Sequence, residues 1–206
     1  LGLISLLFAE AVGLFFGILC AQFRGKWPDY LLMVVAVLGI ALPSMVLGPI
    51  LRMIFGVKLG ILPVTGWGKT NQIILPALVL GLGTVAGNTR NMRASMLAIT
   101  TQDYVKTARA KGLSPIRVVL KHQFKNSLVP IIPNLGVQIA GVLMGSFVVE
   151  SMFLIPGLGR YFVDSVTNLD YPLIMGLTVF YGAFLVTMNL IVDVLYGLID
   201  PRIRVK

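Results

Sequence analysis

Residues 128–149 read LVPIIPNLGVQIAGVLMGSFVV, a block from Leu128 to Val149 without one charged side chain. A helix needs about 20 mostly apolar residues to cross a bilayer core, so this block moves the chain out of the soluble class. Four more blocks extend the pattern outward: Leu173–Val192 after it, and Ile73–Thr89, Leu31–Leu51 and Gly2–Phe23 before it. The whole chain agrees, with 57% hydrophobic and 12% charged residues among 206 and a mean hydropathy of +0.91. The expected fold is therefore all-α: a polytopic transmembrane helical bundle, one domain over residues 1–206, with five spans. Pro43 and Pro49 inside the second block are tolerable in a bilayer, where neighbouring helices re-satisfy the backbone. The single cysteine, Cys20, lies in an apolar run and reads as a small core residue. Leu1 starts inside a hydrophobic run with no basic flank or cleavage pattern, so the native start and an upstream helix are expected to be missing.

Charge sets the expected orientation. Between the third and fourth blocks lie Arg90, Arg93, Lys106, Arg109, Lys111, Arg117, Lys121 and Lys125, against Asp103 as the one acid. Short loops rich in Lys and Arg stay in the cytoplasm, which puts residues 90–127 inside. The tail with Arg202, Arg204 and Lys206 and the link 24–29 join them, while residues 52–72 and 150–172 fall outside. The net charge of +9 then serves topology and anionic lipid headgroups. No interleaved aromatics suggest nucleic acid as a partner.

The basic loop is too organised for a mere connection. Thr100-Thr101-Gln102-Asp103 resembles a capping box, and a short helix is expected through Tyr104, Val105, Lys106, Thr107, Ala108, Arg109, Ala110 and Lys111, stopping at Gly112. Ser114-Pro115 suits the start of a second helix, with Ile116, Val119, Leu120 and Phe124 on one face and Arg117, Lys121 and Lys125 on another. Small Thr107, Ala108 and Ala110 on the first helix permit close approach to another protein. The same pattern also suits an amphipathic hairpin lying on lipid.

These residues carry a resemblance. The run Asp103 to Ser114, with Lys121-His122 and Lys125-Asn126, resembles the coupling loop of ABC-importer permeases of the oligopeptide, dipeptide and nickel class. Ile155-Pro156-Gly157-Leu158-Gly159, Asp170-Tyr171-Pro172 and the ending Val192 to Arg204 resemble the same class, and Leu195-Tyr196 with Asp200-Pro201-Arg202 resembles its first permease subunit. Lys106, Thr107 and Ala108 stand where the wider importer pattern has Glu-Ala-Ala, so the loop lacks that acidic residue. The resemblance implies a type I importer permease core in a bacterial inner membrane, with its C-terminus cytoplasmic. It implies as partners a second permease subunit, two ATP-binding subunits and an extracytoplasmic solute-binding protein. Residues 104–112 would couple to the ATPases, and ATP and Mg would sit on those partner chains. This chain has no Gly-x-x-x-x-Gly-Lys-Ser/Thr phosphate loop, and neither a catalytic residue nor a cofactor is expected in it.

Three polar residues inside the apolar blocks are candidates to line the pathway. Glu10 is the deepest acid, and an ionisable residue within the membrane is a functional candidate. Asn134 and Gln138, four apart on the fourth block, share a helical face and suit either a polar solute or a neighbouring helix. His122 has no second His or Cys nearby, so no metal site is expected. The rival function is an ion-gradient-driven secondary transporter or channel, which would want paired carboxylates or two matching halves. A membrane enzyme would want a catalytic cluster that the sequence lacks.

Overall fold

The computed structural model describes residues 1–143 and 147–199. The expected ending at Asp200-Pro201-Arg202 and the tail charges lie outside the described residues. Among those residues every regular element is helical.

α1 (Gly2–Gln22) and α4 (Thr70–Thr100) form the centre of the bundle. Ser5, Ala9, Gly13 and Gly17, four apart on α1, are buried. A Cβ added at Gly13 would lie 2.7 Å from Asn88 Cβ, and one at Gly17 would lie 2.5 Å from Met92 Cβ, so the two backbones meet at a distance only glycine allows. In lipid the apolar effect does not press helices together, and this close van der Waals fit is what holds the pair.

α4 runs for 31 residues and passes the expected end of its span at Thr89, carrying Arg90 and Arg93 along. Between Asn88 and Thr100 there is no Gly or Pro, so nothing in the local sequence stops the helix where the charges begin. Arg93 then grips α2 (Trp27–Ala41): its Nε and Nη2 donate to Asp29 Oδ1 and Oδ2, each at 2.7 Å. Asp29 Oδ2 also accepts from the Gly25 N–H at 3.0 Å, and its side chain is 2% exposed.

The expected second span does not form one helix. α2 ends at Ala41, Leu42 is extended, and α3 (Ser44–Leu51) leaves at 110°. Pro43 explains the break, because the residue before a proline is pushed out of the helical region. Beyond Pro49, which has no N–H to donate, α3 widens into a π-helical stretch, Arg52–Lys58. Arg52 Nη1 there donates to the Met152 carbonyl at 2.9 Å, and its guanidinium lies 5.6 Å from the Phe153 ring centre.

The expected fourth span is broken as well. α7 (Lys125–Leu128) ends at Leu128, a turn containing Pro130 follows, and α8 (Ile132–Leu143) restarts the helix. Residues 150–172 are not a plain loop. α9 (Phe147–Phe153) and α10 (Leu158–Thr167) form a helical hairpin turned at Leu154, and α11 (Tyr171–Ile199) extends the fifth block at both ends. Of the five expected spans, the first, third and fifth are continuous helices long and apolar enough to cross a membrane, and the bent pair Trp27–Ala41 and Ser44–Lys58 reaches that length only when taken as one span.

Candidate functional site: a helical hairpin at the end of α4

Past Thr100 the chain turns and forms α5 (Asp103–Ala110). The capping box expected at its start is absent. Thr100 Oγ1 donates back to the Met96 carbonyl at 2.8 Å and accepts from Gln123 Nε2 at 3.1 Å, while Asp103 pairs with Lys106 Nζ at 2.9 Å. Thr100 still lies in the last turn of α4, so its hydroxyl reaches the carbonyl four residues back rather than the start of α5. Gly112 ends the element as expected, with φ +72°.

The return strand of the hairpin starts with Pro115 in α6 (Pro115–Arg117), and Ser114 precedes it as expected, although its side chain makes no cap hydrogen bond. From Val118 to Phe124 the helix is π-wound. That winding keeps half of the expected apolar face, with Val119 and Phe124 half-buried against Met92, Met96 and Ile131, and corrects the other half. Ile116 and Leu120 are 73% and 59% exposed, whereas Val118 and Gln123, five apart, point inward, as the i to i+5 pattern of a π-helix requires. Arg117, Lys121 and Lys125 are exposed as expected.

The nine residues expected to couple divide into two sets. Val105 and Ala108 are buried and pack with Val118, Ile99 and Leu113, so they glue α5 to its own hairpin. This corrects the expectation that Ala108 offers close approach to another protein. Tyr104, Lys106, Thr107, Arg109, Ala110, Lys111 and Gly112 are exposed and form the outward surface. Gln123, which sequence reasoning missed, ties the hairpin to α4 through Thr100 and to α1 through Gln22 Nε2 at 3.4 Å. Ser95 Oγ donates to the Ser127 carbonyl at 2.8 Å, and Asn126 Nδ2 donates to Tyr104 Oη at 3.1 Å. In the sequence the signal of Gln123 is only an uncharged amide between the basic Lys121 and Lys125.

Deeper in the bundle, Glu10 and Gln138 are brought together by a residue not singled out, Asn88. Asn88 is fully buried; its Nδ2 donates to Glu10 Oε1 at 2.9 Å, and its Oδ1 accepts from Gln138 Nε2 at 2.9 Å. The three tie α1, α4 and α8 across the apolar core. Asn134 does not join them: it is exposed in a cleft at the Thr100 end, beside Asn91 and Asn126. Glu10→Gln keeps an acceptor for Asn88, so we expect assembly to survive and uptake to change by less than about threefold. Asn88→Leu strands both partners and should cost about 1 to 3 kcal/mol, read as a lower unfolding temperature of the full-length protein. A harmless Asn88→Leu would show that the three amide and carboxyl groups are not coupled.

The family model for "Binding-protein-dependent transport system inner membrane component" matches residues 13–205. The chain belongs to this family. As a member of it, this inner membrane component is a multi-pass membrane protein, and its relatives are close. It is 44% identical over 204 residues to the dipeptide transport system permease protein DppB of Bacillus subtilis (strain 168), covering 99% of this chain and 66% of the relative. It is 42% identical over 206 residues to the oligopeptide transport system permease protein OppB of Haemophilus influenzae, covering 99% of this chain and 67% of that protein. The glutathione transport system permease protein GsiC of Escherichia coli (strain K12) is 44% identical over 202 residues, covering 98% of this chain and 66% of GsiC. The chain thus spans about two thirds of the length of the curated relatives it matches. A solved structure of the MetNI methionine ABC transporter in inward-facing conformations shares the fold, with a TM-score of 0.77 at 16% identity, over 97% of this component and 91% of that chain.

Proposed function

We propose that this chain is one permease half of an ATP-driven importer for peptides or a comparably small solute. The observation that carries the reading is the hairpin. α4 of the bundle ends at Thr100 in a braced hairpin whose exposed face holds Thr107 and Ala110 among Lys106, Arg109 and Lys111. Such a projection can sit in a groove of another protein and pass a push back along α4. The family match and the peptide-carrying relatives support the same reading. In it the hairpin and the C-terminus face the cytoplasm, Trp67 and Pro156 face outward, and a second permease subunit completes the pathway. Two ATP-binding subunits hold ATP and Mg beneath the hairpin, and an extracytoplasmic solute-binding protein delivers the solute.

The test is a cysteine at Arg109 in a Cys20→Ser background of the full-length protein, expressed with its neighbours. It is expected to crosslink to an ATP-binding subunit and to resist a membrane-impermeant thiol reagent applied from outside, whereas a cysteine at Pro156 should be modified. Labelling of position 109 but not 156 from outside would overturn the orientation. Uptake driven by an ion gradient in a lone homo-oligomer would favour a secondary transporter instead.

A further inference from the structure

The basic hairpin carries a cleft of its own, about 460 Å³, between α5 and the π-wound segment Val118–Phe124. Ala108 and Leu113 make its apolar floor, and Tyr104, Lys111, Lys121 and His122 stand around the rim. Among the described residues no acidic side chain lines it, and neither Lys111 nor Lys121 has an ion-pair partner. Asp103, the one acid of the loop, is taken by Lys106. Two local features hold the rim in place. Gly112, at φ +72°, turns the chain so that Lys111 and Leu113 both reach the cleft. Asn126 Nδ2 donates to Tyr104 Oη at 3.1 Å and to the His122 carbonyl at 3.0 Å, which bridges the two sides. Because the Tyr104 oxygen accepts that bond, its own hydrogen is left to donate.

Two ammonium groups and a hydroxyl donor around an apolar floor, with no counter-charge, form a receptor for an anion on a short apolar stem. A carboxylate side chain of a protein is such a ligand. A lipid headgroup fits the charge but not the place. The first charge on α4 is Arg90, where hydrocarbon gives way to headgroups, and the hairpin starts past Thr100, about 15 Å farther along the helix at 1.5 Å per residue. A headgroup layer is only about 5 to 8 Å deep. Resting on the reading of the hairpin as the ATPase-docking element, we propose that the cleft receives one glutamate or aspartate side chain of an ATP-binding subunit. The carboxylate accepts from Lys111, Lys121 and Tyr104, and its methylene stem rests on Ala108 and Leu113. Docking is then reciprocal: α5 enters the partner and the partner enters the hairpin. A charge pair shielded by the interface holds more firmly than an exposed one, so this contact fixes register as well as affinity.

The test uses the full-length protein expressed with its neighbours and purified in phosphatidylcholine nanodiscs. A water-soluble carbodiimide joins an amine to a carboxylate only when the two touch. It is expected to link Lys111 or Lys121 to a Glu or Asp of an ATP-binding subunit, located by mass spectrometry of the joined peptides. Lys111→Glu with Lys121→Glu should weaken binding of the ATP-binding subunits tenfold or more at an unchanged unfolding temperature of the permease, because both side chains are exposed. Arg117→Glu, the same charge reversal outside the cleft, should change binding less than threefold. Lys in place of the linked acid should bring the doubly reversed permease back to within threefold of the wild type. No link to either lysine, undiminished binding by the double variant, or an equal loss in Arg117→Glu would each overturn the proposal. So would a loss seen only when the nanodiscs contain anionic phosphatidylglycerol, which would assign these lysines to lipid. Should the double variant lose its fold, the carbodiimide link in the wild type decides alone. The cysteine at Arg109 tells the two failures apart. If it crosslinks to an ATP-binding subunit while the lysines do not, the cleft alone falls; if neither links, the docking reading falls with it.

Discussion

Asp29→Ala is expected to destabilise the full-length protein by about 3 kcal/mol, the low end for one partner of a buried ion pair. Arg93 would be left with its donors aimed at nothing, in a position where its side chain is 27% exposed. The Gly25 N–H would lose its acceptor as well, and the entry of α2 would come loose from α4. For a domain of this size the loss corresponds to an unfolding temperature lower by roughly 6 to 12 °C. Arg93→Ala should cost less, because Asp29 keeps its backbone partner, and the double variant should fall short of the sum of the two. Additive losses, or an Asp29→Ala shift of less than about 1 °C, would show that the pair does not clamp the helices.

Ala108→Trp is the second large effect. Ala108 is 4% exposed between Val105 and Val118, and an indole there overpacks a site with no space to give. The hairpin should peel from α4 while the bundle still inserts, and transport should fall at least about tenfold with solute no longer stimulating ATP hydrolysis. Ala110→Trp is the informative companion. Its side chain is exposed, so the hairpin should stay folded, as judged by unchanged resistance of residues 100–127 to protease. Transport should nevertheless drop if the proposed docking holds, because the bulk stands on the exposed face of α5. Normal transport by Ala110→Trp together with loss in Ala108→Trp would make the hairpin a scaffold lying on lipid rather than a docking element.

The long helices were legible because an apolar run of span length has few other uses. α1 follows its block closely, α11 contains its own, and α5 stops before Gly112 as the backbone geometry there demands. Breaks were harder to see. Pro43 and Pro130 sit in apolar runs, and whether a proline there kinks, breaks or is tolerated depends on which neighbours take up the freed carbonyls. The end of α4 was misjudged at Thr89 because charge marks where lipid ends, not where a helix does. Ala9, Gly13 and Gly17 are spaced for close packing, yet which helix they meet is a tertiary fact. Asn88 and Gln123 escaped notice for the same reason, since each acquires meaning only through partners 23 to 101 residues away in the chain. At Ala108 a small residue was read as an outward surface, and the π-wound segment opposite turned it inward.

The unbroken course of α4 makes it a lever. Its 31 residues span about 46 Å at 1.5 Å per residue, and the helix runs on through Pro76 to Thr100. A 10° tilt pivoting at Asn88 would carry Thr70 through about 5 Å and Thr100 through about 3 Å. The fulcrum is the glycine seat of α1, where backbones touch and rolling needs no side chain to swing aside. The arm toward the hairpin is the shorter, so a wider swing at the Trp67 end and a smaller, more forceful one at the hairpin belong to a single stroke.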